Sequence, residues 1–78
     1  MAWTLQVATV SSAEKAENLR QQLLEMNQKA YVTTVHTGGN SLYRVSIGPK
    51  SDRAELEKLK AGVNARFGVT SIVVRHTP

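Results

Sequence analysis

The side chains able to do acid, base or ligand chemistry are few in this sequence, and their spacing argues against catalysis. Asp52 is the only aspartate, and it stands where a helix is expected to begin, so capping of that helix accounts for it. A Ser-His-Asp triad therefore has poor support. His36 and His76 lie beside a loop and near the C-terminus, with no acid close to either and no Cys anywhere in the chain. They make no metal site and are expected to be exposed polar residues. Glu14, Glu17, Glu25, Glu55 and Glu57 are interspersed with Lys and Arg along two helical stretches, the pattern of a solvated face rather than of a general acid and base. Gly38-Gly39 is followed by neither a helix start nor a GK[ST] run, so it reads as a hairpin turn and not as a phosphate loop. The expectation is a chain with no catalytic residue, no metal and no cofactor.

Binding chemistry is better represented. Gln6 sits in the alternating run WTLQVATV, Trp3 to Val10, where strand periodicity sets Trp3, Leu5 and Val7 on one face and Thr4, Gln6 and Ala8 on the other. A glutamine amide offers two donors and one acceptor, the capacity needed to engage sugar hydroxyls and N-acetyl groups, and a strand holds it with little freedom to lose. Arg44 adds a planar fork suited to a carboxylate.

The elements that must position these residues follow from pattern. Ser11 stands three residues before Glu14, a capping-box spacing, and Ala16, Leu19, Leu23 and Met26 trace one helical stripe, predicting a helix over about 12–27. Ala30 to Val35 is rich in Tyr, Val and Thr, and Thr37-Gly38-Gly39-Asn40-Ser41 makes a hairpin loop to the next strand. Within Leu42 to Gly48, Tyr43, Val45 and Ile47 share the core face and Leu42, Arg44 and Ser46 the other. Gly48-Pro49 ends that strand. Ser51 or Asp52 caps a second helix with Leu56, Leu59, Val63 and Phe67 inward, stopped by Gly68. Val69 to Arg75 forms the last strand, with Thr70, Ile72 and Val74 expected inward and Ser71, Val73 and Arg75 outward.

This order, β-α-β-β-α-β, predicts an α+β ferredoxin-like (RNP-like) sandwich: a four-stranded antiparallel sheet with two helices on one face and the other face open. The open face then gathers Thr4, Gln6 and Ala8 with Leu42, Arg44 and Ser46, and with Ser71, Val73 and Arg75. Tyr31 joins it if Ala30, Val32 and Thr34 point inward.

Size and charge bound what such a domain can do. At 78 residues a chain buries only roughly 60 to 65% of its unfolded surface, which leaves little capacity for an enclosed cofactor. The absence of Cys excludes disulfides, thiolate metal sites and thiol nucleophiles without fixing a compartment. No run approaches the roughly 20 apolar residues of a membrane span, and no signal peptide is seen, so the abrupt start suggests a domain excised from a longer protein. Ten Lys and Arg against six Asp and Glu give a net charge of +4. All six acids fall in the predicted helices, so the sheet should be neutral to positive.

The residues Leu5-Gln6-Val7-Ala8-Thr9-Val10, a helix carrying Ala16 and Leu23, and Leu42-Tyr43-Arg44-Val45-Ser46-Ile47-Gly48-Pro49 together resemble the sporulation-related repeat (SPOR) domain family, whose pattern reads approximately VQ-aliphatic-G-S/A-F early and YRV-x-V-GP-F late. The likeness covers essentially the whole of 1–78. It implies a bacterial envelope module, not an enzyme, that binds glycan strands of peptidoglycan denuded of stem peptides, in the periplasm at the division septum. The parent it implies is a single-pass inner-membrane protein or a lipoprotein, through which other division proteins are reached; any membrane contact comes from an anchor outside this chain. On this resemblance the glycan-binding surface is the open sheet face. The family's strand-one Gln falls on Gln6, its Ser on Thr9 and its strand-three Arg on Arg44, while Leu42 stands where some members place Trp and Val73 where a branched aliphatic lies. Thr4, Ser46, Arg75 and Tyr31 complete the expected surface. The sequence departs from the pattern at Ala8 for Gly, Thr9 for Ser, Val10 for Phe and Lys50 for Phe. Thr9 keeps a hydroxyl, whereas Leu42 in place of Trp weakens sugar stacking, a platform that Tyr31 is placed to supply.

The alternatives using the same face are an RNA-binding module and a protein-interaction module. RNA readers of this fold stack bases on exposed aromatics of the central strands, and here Trp3 and Tyr43 fall in phase with the core, so no nucleic-acid partner is expected.

Overall fold

The structure is a computed structural model and describes residues 1–76. Its elements run β1 (Trp3–Val10), α1 (Ala13–Glu25), β2 (Ala30–Thr37), β3 (Asn40–Lys50), α2 (Arg53–Phe67) and β4 (Ile72–Arg75). The sheet order is β2-β3-β1-β4, every pairing antiparallel. α1 packs on β2, β3 and β1, and α2 on β1 and β4. This is the expected β-α-β-β-α-β sandwich.

The core lies between the helices and one sheet face. Leu5, Val7, Val45 and Ile47 from the central strands meet Ala16 and Leu23 of α1, Ala30 of β2, and Leu56 and Val63 of α2. Both predicted helical stripes point there, because i, i+3, i+4 and i+7 positions share one side of a helix. Among the described residues no helix is long and apolar enough to cross a membrane.

The caps explain where the helices stop. Ser12, not Ser11, is the N-cap of α1 and accepts from the Lys15 amide at 3.2 Å. Lys15 rather than an acid therefore occupies the third helical position, and no capping box forms. At the other end Asn27 takes φ 62°, with Gln28 N–H bonded to Leu23 O and Asn27 N–H to Leu24 O. This paired pattern ends helices when a residue tolerating the left-handed region follows the last turn. Asp52 caps α2 through the Ala54 amide at 2.9 Å, and Gly68 ends it at φ 63°. The β2–β3 hairpin turns on Gly38 and Gly39, both at positive φ, with Thr37 opposite Asn40, as a two-residue turn matched to the strand twist requires.

Two departures from strict alternation decide which side chains reach the open face. In β1 the register slips between Gln6, opposite Ser46, and Ala8, opposite Val45. One extra residue in a strand reverses the facing of everything after it. Ala8 accordingly packs against the core and not on the open face, and Thr9 comes outward opposite Arg44. In β4, Val73 pairs with Leu5 on the core side, while Ile72 and Val74 pair with Gln6 and Thr4 on the open side. The expected outward set of Ser71, Val73 and Arg75 is therefore displaced by one residue. Ser71 is fully buried and bonded through its amide and hydroxyl to Asn64 Oδ1. That helix-to-strand bond fixes the start of β4 and, with it, the phase of the strand.

Candidate binding face

The cross-strand register assembles the open face in rows. One row runs Tyr31, Ser46, Gln6 and Ile72 across all four strands. The next runs Thr33, Arg44 and Thr9, and beyond it Val35 stands opposite Leu42. Gln6 and Arg44 are thus diagonal neighbours on the two central strands. No helix covers them, and both are half-buried.

These rows form a shallow trough of about 270 Å³ lined by Thr4, Gln6, Tyr31, Thr33, Arg44, Ser46, Val74, Arg75 and His76. A second hollow of about 140 Å³ adjoins it across Gln6, between Val7, Ala8 and Thr9 of β1 and Thr70 and Ile72. This hollow exists because β4 starts only at Ile72, opposite Gln6, so among the described residues no strand pairs with β1 beyond that point on that edge.

The floor of the trough comes from a small residue under a large one. Tyr31 of β2 puts its Oη 3.4 Å from Thr4 Oγ1 on β1, and to do so its ring must cross β3 at Ser46, its own cross-strand partner. Ser46 and Thr4 are consequently only 2% and 3% exposed although they lie on the uncovered side of the sheet. They shape the floor, and Tyr31 presents an aromatic surface beside Gln6. His76 closes one end: its amide donates to Ala2 O at 2.8 Å and its Nδ1 lies 3.1 Å from Thr4 Oγ1.

Sequence reasoning therefore located Thr4, Gln6, Tyr31, Arg44, Ser46 and Arg75 at the trough, and Thr9 in the adjoining hollow. Arg75 pairs with Trp3, of the helix-side row, but on an edge strand it still borders the trough. Leu42 is on the face but outside both hollows. Val73 is a correction: it packs against the core, and its expected place is taken by Ile72, 49% exposed, and by Val74. Thr33, Ile72, Val74 and His76 were missed. Thr33 follows from the alternation of β2 once Ala30 is inward, whereas nothing in the sequence marks His76, which is half-buried rather than exposed.

Charge is segregated between the two sides. Glu17 binds Arg20, Glu55 binds Lys50 and Glu57 binds Arg53, all away from the trough. Hydrogen bonds from Arg20, then from Gln21, hold the Glu17 carboxyl down at about 2. Among the described residues Arg44 and Arg75 make no ion pair, and no carboxylate lines the trough. An acid-free surface with two guanidinium groups attracts anions. Trp3, the only tryptophan, is not part of this surface; it packs toward the core with Arg53 5.1 Å over its ring.

The fold is a small α+β sandwich that leaves one face of its four-stranded sheet uncovered by helices. Residues 2–75 match the model of the SPOR domain, and the chain belongs to the SPOR domain family. Among solved structures, the SPOR domain of RlpA from Pseudomonas aeruginosa is similar at a TM-score of 0.83 and 21% identity, over 95% of this chain and 99% of that one. The peptidoglycan binding domain of the B. subtilis cell wall lytic enzyme CwlC matches at a TM-score of 0.65 and 20% identity, over 97% of this chain and 90% of that one. The Spor protein DedD matches at 0.66 and 18%, over 99% of this chain but 40% of that one. A comparison with curated proteins finds no match.

Proposed function

We propose that this domain binds peptidoglycan glycan strands from which the stem peptides have been removed, and thereby brings a larger envelope protein to the division septum in the periplasm. In this reading it binds and does not catalyse. The observation that carries the reading is the juxtaposition of Gln6, Arg44 and the Tyr31 ring on one uncovered trough that no carboxylate lines among the described residues. Membership of the SPOR family supports it, and so does the description of the CwlC domain as peptidoglycan binding.

The chemistry of the ligand fits the groups present. Loss of the stem peptide from N-acetylmuramic acid exposes a lactyl carboxylate, for which the Arg44 fork is a charge-assisted partner. Gln6 supplies donors and an acceptor for N-acetyl groups and hydroxyls, and Tyr31 offers a flat surface for a sugar ring. With the stem peptide attached, that carboxyl is an amide and offers the Arg44 fork no charge. Affinity is modest, since an open face buries few ligand atoms and sugar hydroxyls give up good contacts with water.

Cosedimentation with purified sacculi tests this. Amidase-treated sacculi should retain the domain and untreated sacculi should release it. Gln6→Ala should weaken retention by roughly tenfold and Arg44→Ala by roughly tenfold to a hundredfold, as for loss of a neutral and a charged hydrogen-bonding group. Equal retention on treated and untreated material would sink the specificity. Arg44→Ala binding like the parent while Gln6→Ala does not would remove the carboxylate from the account.

A further inference from the structure

Beneath the trough, groups from three separate places in the fold meet at one hydroxyl. Thr4 Oγ1 on β1 lies 3.1 Å from Nδ1 of His76, just past β4, and 3.4 Å from Oη of Tyr31 on β2. Thr4 itself is buried. Its hydroxyl has one proton, so it donates to only one of these neighbours at a time. A neutral imidazole carrying its proton on Nε2 presents Nδ1 as an acceptor. Thr4 then donates to His76 and accepts from Tyr31, so the phenol proton points into the protein and its oxygen meets the trough as an acceptor. A protonated imidazole donates from Nδ1. Thr4 then donates to Tyr31, and the phenol proton turns toward the trough.

We propose that His76 is a positioning residue of the binding face, whose protonation reverses the hydrogen-bond polarity that Tyr31 presents to the bound glycan. The proposal rests on the glycan-binding role given above. The lactyl carboxylate and the N-acetyl carbonyl only accept hydrogen bonds, so both favour the donor state of Tyr31, and binding strengthens toward acid pH.

The charged and titratable groups around His76 in the trough are Arg44 of β3, Arg75 of β4 and Tyr31 of β2, with no carboxylate among the described residues. Imidazole is the side chain suited to gain or lose a proton between about pH 5 and 8. A protonated His76 also attracts an anion by charge alone. That effect has the same sign, but it needs neither Thr4 nor Tyr31, and this separates the two.

The test is retention on amidase-treated sacculi at about pH 5.5 and about pH 8, for the parent, Tyr31→Phe and Thr4→Val, with circular dichroism to check that each variant folds. The parent should bind about threefold to tenfold more tightly at the lower pH, the effect of gaining one hydrogen bond. Both variants should lose most of that difference. Nitrogen NMR of His76 should show the Nε2–H tautomer at the higher pH. A parent with no pH dependence, variants that keep the parent's profile, or an Nδ1–H tautomer at high pH would each overturn the relay. If the parent binds treated sacculi at neither pH, the glycan role fails instead. The relay is then decided by the Tyr31 Cζ shift, which must follow the His76 titration in the parent and not in Thr4→Val.

Discussion

At Gly48 the buried backbone adopts φ 128°, and a Cβ there would sit 3.0 Å from the Trp3 carbonyl oxygen. The close approach falls where the β1–β3 register skips between the Trp3–Lys50 and Leu5–Ile47 pairs. Gly48→Ala is expected to cost about 1–3 kcal/mol for the strained backbone alone, lowering the melting temperature by roughly 4–8 °C for each kcal/mol. An unchanged melting temperature would show that β1 can move away without loss. Individual site residues were legible to different degrees. Arg44 sits in a strand whose sequence alternates cleanly, so its facing could be read directly, and the reading of Gln6 survives because its immediate neighbours Leu5 and Val7 are both core residues and the slip falls after it. Tyr31 depended on the phase of β2. Thr9 came from the family pattern against the alternation of its own strand, and only the slip after Gln6 reconciles the two. His76 had no signal, because its place at the trough comes from reaching Thr4, far away in sequence but adjacent across the β1–β4 edge.

At the level of elements, helix positions and the hairpin were readable because their apolar stripes, caps and glycines agree with one another. The phases of β1 and β4 were not. The β1 slip occurs at Val7-Ala8, with no Gly or Pro to mark it, and in Ile72-Val73-Val74 three consecutive β-branched apolar residues leave no alternation to read. What sets β4 is the Ser71–Asn64 bond, a tertiary contact. Helix α1 offers a pH test of local structure. The Glu17 carboxyl, held at about 2 against an ordinary 4.5 by Arg20 and Gln21, adds to the folded state above its ordinary range and loses that contribution as pH falls through about 2. A carbon NMR titration should place the Glu17 midpoint near that value, and Arg20→Gln should return it toward the ordinary carboxylate range. A parent midpoint already in that range would mean that the pair does not persist in solution. Because both side chains face solvent, the pair adds little to overall stability.

Over the whole molecule, one face is spent on a single small core and the acids are confined to the helical side. The other face is left shallow and, among the described residues, without a carboxylate in its trough. The outline of that division was visible in where the six acids fall along the sequence. The shape of the trough and the hollow beside it were not visible, because the first comes from Tyr31 reaching across β3 to Thr4 and the second from the late start of β4. The most direct measurement is amide and side-chain NMR shift mapping with a soluble glycan oligomer freed of its stem peptides. Perturbations should cluster on Gln6, Thr9, Tyr31, Arg44, Ile72 and Val74. Shifts centred instead on exposed helical residues such as Leu24 and Lys58, with Gln6 and Arg44 unmoved, would contradict the assignment of this face.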